Sequence, residues 1–192
     1  AQSIKRKPES VDGLLAAADL ERLRGRAAAE APDKKPEQRR AALKKHRDLA
    51  VGHLQHGLEI VRRNKLAGGE QGEFQLLWHK GNLLLDNLDL DRARREQENL
   101  PDSDDRVAQE TIEQVIDQVR RTQMPAAAAY MRGRRLVHDY RWAEAISLFE
   151  RARLQLKDQP DLACQANLYL GQCYERLEQH AQMYSAYQRV IE

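Results

Sequence analysis

The sequence predicts an all-α fold organised around a repeated helix-turn-helix unit. Aromatic residues make up only 5% of the 192 residues, and no segment alternates apolar and polar residues long enough to make a strand. The stretch AAAAYMRGRRLVHDYRWAEAISLFERA returns as CQANLYLGQCYERLEQHAQMYSAYQRVIE, with Gly133 and Gly171 in register at an offset of 38 residues. Ala145, Phe149 and Ala152 follow Gly133 at 12, 16 and 19 residues, the spacing of one helix face. Met183, Tyr187 and Val190 take the same places after Gly171.

This spacing resembles the tetratricopeptide repeat (TPR), a helix-turn-helix unit of about 34 residues with small residues where its two helices cross. The resemblance is clearest over 126–192 and implies a right-handed α-solenoid of about three to four hairpins with a concave groove. A glycine on the first helix and an alanine on the second would leave the crossing free of side chains. Phe149, Tyr174 and Tyr187 would fill the space between successive hairpins. The first copy departs from the family in having Ala129 for a frequent Trp and Leu136 for a frequent Tyr. Its closing Pro160 comes about three residues late, so its second helix should extend through Leu154 and Leu156. Met183, replacing a small residue, predicts a splayed or shifted second hairpin.

Upstream, residues 1–9 read as a flexible basic lead-in. Ser10 is a suitable N-cap for a helix that would place Val11, Leu14, Leu15, Ala18 and Leu23 on one side. Pro32 and Pro36 interrupt it, and Pro36 suits the first turn of the next helix. Residues 37–64 read as one long helix or a hairpin, with Ala50, Leu54 and Gly57 as a degenerate second-helix pattern. LAGGEQGE, with Gly68, Gly69 and Gly72, predicts a loop. In 73–99, Trp78, Gly81, Leu84 and Ala93 suggest a degenerate hairpin. An additional helix follows from a cap at Ser103 or Asp104, with Val107, Ile112, Val115, Ile116 and Val119 inward.

Charge is unevenly placed: +7 over 1–65, −6 over 66–124 and +1 over 125–192. The basic cluster Lys34, Lys35, Arg39, Arg40, Lys44, Lys45 and Arg47 has no aromatic residues for stacking bases, so a solvated helix face is favoured over nucleic-acid binding. No apolar run reaches the roughly 18–20 residues that span a membrane, and AQSIKRKPES lacks the apolar core of a signal peptide. The cytoplasm is favoured over export.

No metal or other cofactor is expected. His46, His53 and His56 share part of a helix surface, but no carboxylate or Cys completes a metal site at their spacing. Cys164 and Cys173 stand nine residues apart on one helix, on opposite sides, and cannot pair with each other. Catalytic motifs such as G-x-S-x-G, a phosphate-binding P-loop or a kinase signature are absent, so no enzymatic activity is expected.

In the TPR family, defined positions of the first helix line the groove. Carried onto this chain, the resemblance implies partner contacts at Gln75, Trp78, Asn82 and Asp86, at Tyr130, Arg134 and His138, and at Leu168, Gln172 and Arg176. Arg134 and Arg176 stand out because charged groups are seldom buried unpaired. The clamp with which one TPR subgroup grips a chaperone's terminal carboxylate is disfavoured, because Trp78 replaces its Lys, and Gln165 and Tyr169 fill other clamp positions. The expected function is a protein-protein interaction scaffold that binds a partner peptide or helix. The alternative is a regulatory or self-association segment of a larger enzyme or sensor, its basic N-terminal part docking on an acidic surface.

Overall fold

A computed structural model describes residues 10–64, 69–98, 106–122, 124–156 and 160–191; the lead-in at 1–9 and the caps at Ser103 and Asp104 lie outside them. The described residues form helices only: α1 (Val11–Glu30), α2 (Pro36–Asn64), α3 (Gly69–Glu98), α4 (Arg106–Arg121), α5 (Pro125–His138), α6 (Trp142–Gln155), α7 (Pro160–Arg176) and α8 (His180–Ile191). Two compact units divide the chain between Asn87 and Leu88, within α3.

In the first unit α1 packs on α2. Ser10 caps α1 as expected, its hydroxyl accepting from the Gly13 amide at 3.0 Å. Residues 37–64 resolve as a single helix opening at Pro36. The buried stripe of α1 is Leu14, Ala18, Glu21 and Gly25. Leu23, expected inward, is 56% exposed. Glu21 takes an interior place because both its oxygens find partners: His46 Nδ1 lies 2.7 Å from one carboxylate oxygen and Arg24 donates to the other at 2.5 Å. Those hydrogen bonds, His46's above all, hold the Glu21 carboxyl below its ordinary range.

Gly57 lets α2 approach α3, since a Cβ there would lie 2.8 Å from the Leu76 side chain. Leu54, Leu58, Leu76 and Leu77 close this core, each burial contributing about 1.5–3 kcal/mol. Gly69 and Gly72 correct the expected loop, for both lie in the first turn of α3. A Cβ at Gly72 would sit 3.6 Å from Val11 and 3.8 Å from Val61, ordinary van der Waals contact, so the helix has room for a methyl there. The hairpin expected over 73–99 is also corrected: α3 runs unbroken through Gly81 and Ala93. Nothing between Asn82 and Glu98 breaks a helix, since this run has neither Gly nor Pro.

The second unit holds the repeat. Ile112, Val115, Ile116 and Val119 of α4 are buried as expected, and α4 packs on α5; the Val107 side chain lies outside the described residues. α5 then packs on α6, α6 on α7 and α7 on α8. Both hairpins turn identically. Arg141 N donates to Leu136 O at 2.9 Å, and Gln179 N donates to Tyr174 O at 2.9 Å, each bond spanning the same turn 38 residues apart. Within each turn sits one left-handed residue, Tyr140 (φ 60°) or Glu178 (φ 57°). This is a Schellman closure, normally completed by glycine. Because L side chains are strained there, Glu178→Gly is expected to stabilise the chain by about 0.5–1 kcal/mol. Thermal denaturation checks this: a lowered midpoint would mean that the Glu178 side chain contributes more than the strain costs.

The glycines also work in duplicate, but not as bare backbone contacts. A Cβ on Gly133 would lie 2.7 Å from the Phe149 ring, and one on Gly171 would meet the Tyr187 ring closer still. Each glycine therefore seats an aromatic edge from the second helix of its own hairpin. Phe149 also reaches the next hairpin, stacking on Tyr169 at 5.3 Å between centroids, and Tyr174 Oη donates to Glu150 at 3.4 Å. Tyr187 belongs to the α7–α8 crossing instead of a space between hairpins. Met183 does not alter the turn; it is half-buried, and Ala186 is the buried residue of α8. α6 ends at Gln155 with buried Leu156 as its cap, Leu154 faces solvent, and Pro160 opens α7.

Candidate partner-binding residues

Trp78, Asn82 and Asp86 recur every four residues on α3, so they lie along one side of the helix. In the first unit they open into one cleft of about 220 Å³, with Asp19 and Arg22 of α1 also lining it and Leu54 among its apolar residues. Asn82 donates to the Trp78 carbonyl at 3.0 Å, and Phe74 stacks against the indole at 6.2 Å. Arg22 Nε lies 3.4 Å from Asp19. The cleft thus joins an aromatic wall to polar groups of both signs, a composition suited to seating a side chain of a peptide.

The second unit places Tyr130 and Arg134 differently from expectation. Both are interior, Arg134 only 4% exposed. The rule that unpaired charge avoids burial holds, because Arg134 is paired: Nη2 donates to Asp89 Oδ2 at 2.7 Å, and its guanidinium lies 5.2 Å from the Tyr169 ring centre. Tyr169 Oη donates to the same Asp89 oxygen at 3.3 Å, and Tyr130 Oη donates to Gln165 at 2.8 Å. Tyr130, Phe149 and Tyr169 form an aromatic cluster, with centroids 5.3–5.9 Å apart, and Tyr169 joins it to this pair. These residues hold α5, α6 and α7 to the beginning of the second unit, where Asp89 stands. In this conformation neither Tyr130 nor Arg134 offers a surface to a ligand.

His138 and Gln172 are half-buried, whereas Arg176 and Leu168 are exposed. Burial first, and the Arg135 charge second, push the His138 imidazole below its ordinary pKa. Three residues that sequence reasoning passed over gather near Arg176. Trp142 has Arg176 5.7 Å from its ring centre on one approach, Arg92 5.8 Å on another, and Tyr140 edge-on at 5.8 Å. The signal available was the aromatic pair Tyr140 and Trp142 in the turn of the first repeat.

Among the described residues, no three His, Cys, Asp or Glu side chains are grouped to hold a metal ion. His46 is engaged by Glu21. Cys173 is buried, which pushes its thiol up to about 12 and leaves it a poor nucleophile, and Cys164 is likewise a free thiol. No described helix is long and apolar enough to cross a membrane. No protein-family model matches the chain, and neither a curated protein nor a solved structure shows significant similarity to it.

Proposed function

We propose that the chain is a non-catalytic protein-protein interaction scaffold, a TPR-like helical array that holds a peptide or helix of a partner. The observation that carries this reading is the convergence of Trp78, Asn82 and Asp86 on a single cleft. The duplicated hairpin supports it: repeated Schellman turns and glycine-aromatic crossings are how a stacked array sets a constant path for successive helices. Affinity would come from an anchor side chain against Trp78 with polar contacts at the rim.

Panning a random peptide library on the full chain tests this. A consensus peptide should emerge whose affinity falls about tenfold or more, equivalent to about 1.4 kcal/mol, in an Asn82→Glu, Asp86→Lys variant that keeps its helical circular dichroism. Equal affinity for both proteins removes the cleft as the site. The second reading, self-association through the basic N-terminal part, draws on Lys34, Lys35, Lys44 and Lys45 all being exposed. A dimer that dissociates as salt rises would favour it.

A further inference from the structure

We propose that His138 is a proton-operated latch of the second unit: neutral, its imidazole lets α5, the following turn and Arg92 of α3 close together, and protonated, it forces them apart. The inference does not depend on the scaffold reading or on the Trp78 cleft. It concerns how the first hairpin of the repeat is held closed.

His138 ends α5 and is half-buried, with Nδ1 enclosed and, among the described residues, hydrogen-bonded to no protein group. A neutral imidazole can leave that nitrogen bare, because only one of its two nitrogens carries a proton. An imidazolium cannot. Both of its nitrogens are N–H donors, and the one at Nδ1 would be shut in without an acceptor.

The surrounding charges act in the same direction. Two carboxylates bear on the ring, Asp139 beside it and Asp89 on α3, but Arg135 pairs with the first and Arg134 with the second. The charges of Arg135 and Arg92 oppose a further cation, and Arg92 donates to the Val137 carbonyl at 2.9 Å, one residue from the ring. Of the helices packed on α5, α4 commits Glu113 and Asp117 to Arg132, and α6 commits Glu144 to Arg141. α7 brings another cation, Arg176, to the Trp142 ring that Arg92 also approaches.

A helix C-terminus ordinarily favours a cation through its unpaired carbonyls. Here the carbonyls of Arg135, Leu136 and Val137 already accept from the amides of Asp139, Arg141 and Tyr140, and Val137 from Arg92 as well. Burial and the neighbouring guanidinium groups therefore prevail, in keeping with the lowered pKa of the ring. A folded state that holds the proton less tightly than the unfolded chain keeps its full stability above the ordinary value of 6.5. It loses that stability as the pH falls through this value toward the lower folded one. Protonation presses first on Arg92 and on the turn closed by Tyr140, so the hairpin opens where α3 is fastened to it.

Two measurements on the full chain test the proposal. An NMR titration of the histidine rings should give His138 a midpoint below about 6.5. Amide hydrogen exchange over 88–192, corrected for the intrinsic pH dependence of exchange, should show the opening constant rising about fivefold or more between about pH 7.5 and about pH 5. In His138→Gln, whose amide carries no charge at any pH, the same change should stay within about twofold. His180, exposed and present in both proteins, serves as the internal control. A His138 midpoint at or above about 6.5, or an equal rise in the two proteins, overturns the proposal. The titration needs no variant, so it decides the matter even where His138→Gln does not fold.

Discussion

Asp89→Ala is expected to destabilise the second unit by about 3 kcal/mol, the largest single effect of any substitution considered for this chain. Asp89 is itself partly exposed, but its partner Arg134 is not, and the two are 45 residues apart in sequence. Removing the carboxylate leaves a buried guanidinium beside the Tyr169 ring without its Asp89 acceptor. Tyr169 loses its hydrogen bond to Asp89 in the same step. The decisive comparison is the double variant Asp89→Leu, Arg134→Met. Apolar side chains of similar volume need no pairing, so the double variant should recover most of the loss. Amide hydrogen exchange read over 88–192 measures both, because it reports the opening free energy of that unit separately from the first. A loss below about 1 kcal/mol for Asp89→Ala would show that water or another acceptor reaches Arg134 and that the pair is not what fixes α5 there.

How far the fold was legible depends on the distance over which each cause acts. The 38-residue repeat could be read because Gly133 and Gly171, and Phe149 and Tyr187, recur in type and spacing along the chain. The turns between them could not be read as left-handed, since Tyr140 and Glu178 carry no glycine-like mark. Small residues misled in the other direction. Gly81 and Ala93 have hairpin spacing yet lie in one helix, because spacing records which faces meet and carries no breaker that would reverse the chain. Gly69 and Gly72 read as a loop, yet both lie in the first turn of α3. The candidate site divides along the same line. Trp78, Asn82 and Asp86, which the repeat resemblance singled out, share one helix and line one cleft. Arg134 with Asp89, and Glu21 with His46, are pairs that exist only after distant helices meet.

Gly133→Ala should destabilise the second unit by about 2 kcal/mol, whereas Gly171→Ala should cost under about 1 kcal/mol, although the second glycine has the tighter contact. Both substitutions gain about 1 kcal/mol of helix propensity, and both drive a methyl into an aromatic ring. They differ in whether the ring can retreat. Phe149 has 0% exposure and is held by Tyr130 at 5.9 Å and by Tyr169 stacked at 5.3 Å, so a shift of its ring disturbs three helices. Tyr187 is half-buried on α8, and its hydroxyl bond to Glu175 is exposed. It can turn toward water and give up little besides its own contact. Phe149→Leu added to Gly133→Ala should recover part of the loss, because the smaller side chain makes room for the new methyl; the same leucine alone should destabilise by leaving a cavity. Urea denaturation and exchange rates over 126–156 give the values. Equal costs at the two glycines would mean that ring mobility does not set the penalty, and that the duplicated crossing is equally rigid in both hairpins.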